Sequence, residues 1–288
     1  VFNRGICIEV PGADKTGCRG ETDGEAKADN IEIAGKSTAG IETNKRNTII
    51  RARFTRGEAV KFISHLDIMK VFERAIRRSG LPISYSKGFN PHPQMVFGLP
   101  LSVGVTSGGE YADFEMEESL NPGYFMDRIN ESLPEGIRVT AAAIKKAGAN
   151  IMSSVAAAGY RIEIYMDDVV SMENITEKIN RMMELDSINV LKEGKSTVKE
   201  VNIRPLIMHV EIGANNIIPP GYEDFKSTFI IDTVFKAGSS ANLRPDLFVE
   251  ALRKYTAIDV KTVRIHRKEL YVERDGKLLS PLDKAVLK

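Results

Sequence analysis

The chain has no tryptophan and only two cysteines, Cys7 and Cys18, in 288 residues. Two thiols exclude a disulfide framework as the source of stability. They also cannot supply a four-cysteine zinc site or an iron–sulfur cluster by themselves. Both lie in the first twenty residues and read either as incidental tail residues or as a half-site completed by another chain. No apolar run approaches the roughly 18 residues needed to cross a bilayer, so no membrane association is expected. Residues 1–10 carry no continuous apolar core, which predicts no secretory leader and a cytoplasmic location. The first residue is Val rather than Met, so a fragment or the downstream part of a longer polypeptide is expected. There is no P-loop, no GxGxxG after a strand, no HExxH and no GxSxG. No complete catalytic motif is present, so an enzyme is the less favoured reading, and neither a cofactor nor a metal site is expected.

What is present belongs to a globular protein. Hydrophobic residues make up 42% and charged residues 27% of the chain, enough apolar side chain for one large core or two ordinary ones. Net charge is only +1, yet its distribution is uneven. Between Lys45 and Gly88 eleven cations face three carboxylates, a local balance of +8. Such a block suggests a polyanion or an acidic protein as partner, or simply a solvated helix face.

Residues 1–47 are rich in Gly, Asp, Glu, Lys and Thr and show no period, so they read as a disordered arm or linker. A β-branched alternation then predicts a strand over 48–54, with 59–63 continuing or pairing with it. Ser64 with Asp67 three residues on opens a helix; Ile68, Met69, Phe72, Ala75 and Ile76 form its apolar stripe, and Gly80 ends it. A short strand is expected over 81–86, a loop over 88–93, extended chain over 94–105 and a strand over 110–116. Asn121-Pro122 starts a second helix, and 137–144 reads as a strand. The resulting order, β-α-β-β-α-β, is the split βαβ arrangement. The second half repeats it loosely: strands over 160–166, 188–191, 201–212, 228–235 and 260–272, helices over 174–185 and from Pro245, and a hairpin at Asp275-Gly276. The fold expected is α+β, two ferredoxin-like modules with antiparallel sheets over 48–147 and 158–275, preceded by the N-terminal arm.

Four groups of residues can carry chemistry. Ser64 and His65 stand at a helix N-terminus, which attracts anions; capping alone also explains Ser64 and Asp67. Lys70, Arg74 and Arg77, with Arg78 beside them, share one helical face and can track phosphates; a solvated face has the same pattern. The loop Lys87-Gly88-Phe89-Asn90-Pro91-His92-Pro93 combines a cation, an aromatic ring, an amide and an imidazole between prolines. It can stack Phe89 on a base and hydrogen-bond through Asn90 or His92, or it is a structural turn with Phe89 in the core. The pairs Arg204-Pro205 and Arg244-Pro245, and the alternation Arg264, His266, Lys268 on one strand face, are explained by structure first.

Phe62-Ile63-Ser64-His65-Leu66-Asp67, Glu73-Arg74-Ala75, Arg78-Ser79-Gly80-Leu81-Pro82, Tyr85-Ser86 and Gly88-Phe89-Asn90-Pro91-His92-Pro93 together closely resemble the radical SAM-linked protein family, a bacterial domain of unknown function. Glu110-Tyr111, Arg204-Pro205, Asn242-Leu243-Arg244-Pro245 and Arg264-Ile265-His266-Arg267 extend the resemblance over residues 48–275. The resemblance implies a chain encoded beside, or fused to, a radical SAM protein, often near genes for ribosomal proteins and an RNA-processing enzyme. It assigns no catalytic residue, and the chain lacks the three-cysteine motif of a radical SAM core. The reading that follows is an accessory protein that recognises RNA or an RNA-bearing substrate for a radical SAM partner. Ser64, His65, Lys70, Arg74, Arg77, Lys87, Phe89, Asn90 and His92 are its candidate contacts. The alternatives are an RNA-cleaving or RNA-modifying enzyme using His65 or His92, and a pure protein-docking module.

Overall fold

The computed structural model describes residues 48–194, 197–215 and 218–288. Cys7, Cys18 and the expected arm over 1–47 lie outside the described residues. In chain order the first half contains β1 (Thr48–Arg56), α1 (His65–Ser79), β2 (Met95–Phe97), β3 (Thr106–Met116), α2 (Pro122–Asn130) and β4 (Ile137–Lys145). A single helical turn, α3 (Ile151–Ser154), leads into the second half. There follow β5 (Val155–Met166), α4 (Met172–Met183), β6 (Asn189–Glu193), β7 (Val198–Asn202), β8 (Ile207–Ala214) and β9 (Ser227–Lys236). The chain ends with α5 (Pro245–Thr256), β10 (Thr262–Arg274), β11 (Lys277–Leu279) and the short α6 (Lys284–Leu287).

The helices begin where the sequence supplies caps. Asn121 Oδ1 accepts from the amides of Gly123 and Tyr124 ahead of the N1 proline of α2. Gly80, at φ 68°, closes α1 in the left-handed conformation that a residue without Cβ adopts at little cost. Asp275 and Gly276, both at positive φ, turn β10 into β11 as expected of an Asp-Gly hairpin.

The expectation of two separate antiparallel sheets is replaced by one mixed sheet. Nine strands lie in it, with β4-β1-β3-β10-β5-β9-β8 along the main path, β2 on β3 and β11 on β10. All pairings are antiparallel except β3 with β10, which runs parallel through two residue pairs, His266 with Thr106 and Arg267 with Ser107. Both β2 and β10 therefore border the same edge of β3, β2 beside residues 112–114 and β10 beside residues 106–107. Strand order within the halves repeats: β4-β1-β3-β2 in the first, β10-β5-β9-β8 in the second.

Local expectations fail where proline or a missing partner intervenes. Residues 58–60 form a 3₁₀ turn rather than a strand. Residues 81–86 contribute only two isolated bridges, Ile83 to Met116 and Tyr85 to Pro93. Of 94–105 only Met95–Phe97 is strand. The run 201–212 is broken at Arg204-Pro205, where proline lacks the amide a ladder needs; β7 instead pairs β6 in a separate two-stranded sheet.

Two apolar clusters hold the sheet to its helices. Phe54, Phe72, Phe97, Phe114 and Phe125 centre the first, with ring centroids 4.8–6.5 Å apart. Ile162, Ile164, Ile179, Phe235, Phe248 and Leu252 centre the second. The second cluster reaches across the seam through Tyr111 of β3, with Val96 and Leu99 packed against it, and polar groups join the halves there as well. Arg267 is buried and gives Nη1 to both Glu110 oxygens (2.9 and 3.0 Å) and to the Leu99 carbonyl (3.0 Å). Its Nη2 reaches the Pro100 carbonyl at 3.0 Å, and its Nε the Tyr160 hydroxyl at 3.3 Å. Arg53 pairs with Glu269 (3.2 Å), and Thr106 Oγ1 meets His266 Nδ1 (2.8 Å).

Breaking such a pair leaves its partner's charge buried. Arg267→Ala should destabilise the protein by about 3–5 kcal/mol, read from urea denaturation of the full chain. A loss under about 1 kcal/mol would contradict the role given to this pair. Ala257 ends α5 at φ 53°. Ala257→Gly should therefore raise stability by about 0.5–1 kcal/mol in the same experiment.

Candidate functional site

Helix α1 is built to present one charged face. Ile68, Phe72, Ala75, Ile76 and Ser79 are buried against the first core, which turns Lys70, Arg74, Arg77 and Arg78 outward. Ser64 caps it: the Asp67 amide donates to Ser64 Oγ (3.2 Å), and that hydroxyl donates to Asp67 Oδ2 (2.7 Å). The Ser64 hydroxyl and the Lys70 ammonium together hold the Asp67 carboxyl below its ordinary range. Lys70 pairs with Asp67 at 3.2 Å. Arg78 is partly structural, giving Nη2 to the Ser132 carbonyl at 2.6 Å. Arg74 and Arg77 are exposed and form no salt bridge among the described residues.

Lys45 and Arg46 lie outside the described residues, and the nine described cations of the +8 block separate into two populations. Arg51 and Arg56 are buried. Arg51 makes a bidentate pair with Asp113 (2.7 and 2.9 Å), and Arg56 donates to the Ile63 carbonyl (2.7 Å). Burial is the largest influence on Arg56 and lowers its pKa. Arg53 and Lys61 are committed to Glu269 and Glu58. The exposed remainder is Lys70, Arg74, Arg77 and Arg78 on the helix, and Lys87 on the loop after it.

That loop is an ordered hairpin-like excursion. The Ser84 amide donates to the Glu115 carbonyl, and the Gln94 amide to the Ser84 carbonyl. Higher up, the Ser86 amide donates to the His92 carbonyl (2.9 Å) and the His92 amide to Ser86 Oγ (3.0 Å). The tip, residues 87–91, is left in solvent with Gly88 at φ 150°. Phe89 is not in the core: the residue is as exposed as in an extended chain, at 106%. Asn90 and His92 are exposed beside it. His92 Nδ1 lies 3.8 Å from Glu73 Oε1. Glu73 sits three residues after Lys70 and four before Arg77, on the same helical face. Loop and cation stripe thus meet on one surface.

His65 stands apart from that loop. It is half-buried, edge-on to Phe97 with centroids 6.0 Å apart. Burial, outweighing the carboxylate of Glu110, holds its imidazole below the ordinary histidine range. Among the second-half candidates, Arg204 Nε donates to the Met183 carbonyl (3.0 Å), and Arg244 chelates Asp246 (3.1 and 2.7 Å). Both are structural contacts. Lys268 reaches Asp232 at 3.3 Å.

Sequence reading missed a cleft of 460 Å³ where the two halves meet. Phe62, Thr106, Tyr222, Arg264 and His266 line it together with Glu58, Lys61, Arg161 and Glu163. Arg264 bridges Glu58 (2.8 Å) and Glu163 (2.9 Å) and lies over the Tyr222 ring. Tyr222 in turn packs on Tyr165, whose hydroxyl donates to Glu163 and, through burial, titrates at about 12. The Arg264–His266 alternation and the 62–67 motif that Phe62 opens pointed to parts of it, though not to a cleft; Tyr222 belongs to no periodic pattern. Among the described residues no group of three or more His, Cys, Asp or Glu side chains is placed to hold a metal ion.

Comparison with known proteins gives a family and a distant likeness. Among curated proteins no sequence matches this chain significantly. Solved structures similar in part include a chain of an H/ACA RNP bound to a substrate RNA containing 2′-deoxyuridine. That likeness has a TM-score of 0.34 at 10% identity, over 80% of this chain and 47% of the other. A chain of a Cbf5-Nop10-Gar1 complex is similar with TM-score 0.35 at 10% identity, over 79% of this chain and 48% of that one. The present chain spans about half the length of these two. Over residues 50–245 it matches the model of the family described as "uncharacterized protein conserved in bacteria" (DUF2344), and the chain belongs to that bacterial family.

Proposed function

We propose that this protein recognises RNA, or an RNA-bearing substrate, and presents it to a partner radical SAM enzyme in the bacterial cytoplasm. The observation that carries the RNA reading is the meeting of the 87–93 loop with the outer face of α1 at His92 and Glu73. Lys70, Arg74, Arg77 and Lys87 hold phosphates. Phe89, which solvent surrounds, stacks on a base, with Asn90 and His92 at its edges. A rigid aromatic next to a row of cations suits single-stranded nucleic acid, where backbone charge supplies affinity and ring stacking tolerates sequence. Ser64 and His65 stand near the positive end of the same helix and receive the neighbouring anionic group.

The radical SAM partner rests on the resemblance carried by the motifs between Phe62 and Pro93. The recurring strand orders, β4-β1-β3-β2 and β10-β5-β9-β8, support reading residues 48–147 and 158–275 as ferredoxin-like modules fused edge to edge.

Binding of the full chain to labelled cellular RNA, titrated with salt, tests the reading. Four phosphate contacts predict a slope of about −3 in log K against log salt, at about 0.7 per contact for a single strand. Arg74→Ala should lower that slope by about 0.7. Phe89→Ala should weaken binding by about 1–3 kcal/mol and leave the slope unchanged. If neither substitution alters affinity, or if no RNA binds at low salt, the reading fails.

A further inference from the structure

The seam cleft has features that the α1 and loop surface does not explain. Phe62 stands at its mouth, 73% exposed. Gly104, held at φ 85° and bonded through its amide to the Lys61 carbonyl, puts no side chain against the Cε1 edge of that ring, and the Lys61 ammonium lies over the ring at 5.2 Å. Tyr222 lines the same cleft, its ring already packed on Tyr165 and under Arg264.

The charged groups of the wall are already matched. Lys61 pairs with Glu58 at 2.7 Å, Arg264 with Glu58 and Glu163, and Arg161 with Asp232 at 2.8 Å. A free phosphate or carboxylate entering here would have to compete with these carboxylates, so the cleft has little pull on an anion. His266 completes the floor. Its Nδ1 is engaged by Thr106, and Gly108 adds no side chain beside Nε2. Burial, followed by the positive charge of Arg161, holds the ring below the ordinary histidine range, so at neutral pH it is an uncharged hydrogen-bonding group. The volume, 460 Å³, is that of a small-molecule site.

We propose that this cleft binds one uncharged nucleobase, stacked on Phe62 and hydrogen-bonded at its edge by His266. An exposed ring, paired charges and one neutral imidazole fit a planar heterocycle that carries both donors and acceptors. As a site on RNA the proposal rests on the reading above; as a nucleoside site it can be tested alone. From Ser64 to Glu73 the helix rises about 14 Å. A strand gripped at α1 and the loop therefore needs only a few nucleotides to place a base in the cleft. The cleft then serves as the second, base-reading subsite of the same surface, formed where the two halves join.

The full chain is titrated with adenosine, guanosine, cytidine and uridine by calorimetry and saturation-transfer NMR, with ribose 5-phosphate and inorganic phosphate as controls. At least one nucleoside should bind, and neither control should compete with it. Phe62→Ala, at an exposed position that the core does not need, should weaken that nucleoside about five- to a hundredfold. Phe62→Trp should retain binding. Arg74→Ala should leave nucleoside affinity unchanged while weakening RNA. No nucleoside binding, competition by phosphate, or full affinity in Phe62→Ala would overturn the proposal. Salt-dependent RNA binding that survives such a failure leaves the α1 and loop reading standing. Nucleoside binding without any RNA binding would instead sustain the cleft and end that reading.

Discussion

The ion pair between Arg267 and Glu110 fixes how the two halves of this protein meet. Only two residue pairs join β3 to β10 as a ladder, so backbone hydrogen bonds alone give the junction little purchase. Tyr111 of β3, buried in the second apolar cluster beside Leu270, adds packing, and the guanidinium adds directional contacts that the ladder lacks. Through one side chain it ties β10 to Glu110 of β3, to the Leu99 and Pro100 carbonyls of the chain entering β3, and to Tyr160 of β5. A buried ion pair is a poor source of net stability, because desolvation offsets most of the Coulomb gain. It is a strong selector of register, because any slip strands a charge in the core. The cleft at the seam inherits its geometry from this arrangement. Thr106 and Ser107 sit opposite His266 and Arg267, so the residue that locks the junction adjoins the imidazole that faces the cleft.

The same division between holding and presenting runs through the basic block. Arg51 and Arg56 are spent inside the protein, one on Asp113 and one on backbone carbonyls, whereas Lys70, Arg74, Arg77 and Lys87 remain in water. A charge count over the linear sequence overstates the surface field by the buried members. What remains is still concentrated on one helix face, and the loop that carries Phe89 meets that face at Glu73. Cations next to an unburied ring suit a flexible polyanion with bases better than a folded acidic protein, for which an exposed phenylalanine on a narrow tip offers little complementary area.

Much of the local structure was legible in the sequence, and most of the long-range structure was not. Helix α1 could be bounded from Ser64 and Gly80 because capping and termination are decided by neighbouring residues. The Asn121-Pro122 start of α2 and the Asp275-Gly276 turn follow for the same reason. The pairing of β3 with β10 could not be read, since its determinants lie 157 residues apart, as Glu110 and Arg267 show. Alternation in β10 did set Arg267 apart from Arg264, His266 and Lys268, but an arginine among Val263 and Ile265 gives no sign of its partner. The loop residues were visible as an odd composition, whereas the exposure of Phe89 is a property of the folded hairpin. Phe62 opened the 62–67 motif but was given no contact of its own, because 59–63 read as strand, and Tyr222 was passed over because its loop is irregular.

The central claim is that one continuous surface, from the cleft at Phe62 along α1 to the loop at Phe89, touches RNA. Ultraviolet crosslinking of the full chain to cellular RNA, followed by identification of the linked peptides by mass spectrometry, tests it most directly. The account predicts crosslinks concentrated in residues 62–93, with Phe89 among them. Crosslinks confined to other regions, such as the β6–β7 hairpin, or none above those of an unrelated protein, would contradict it.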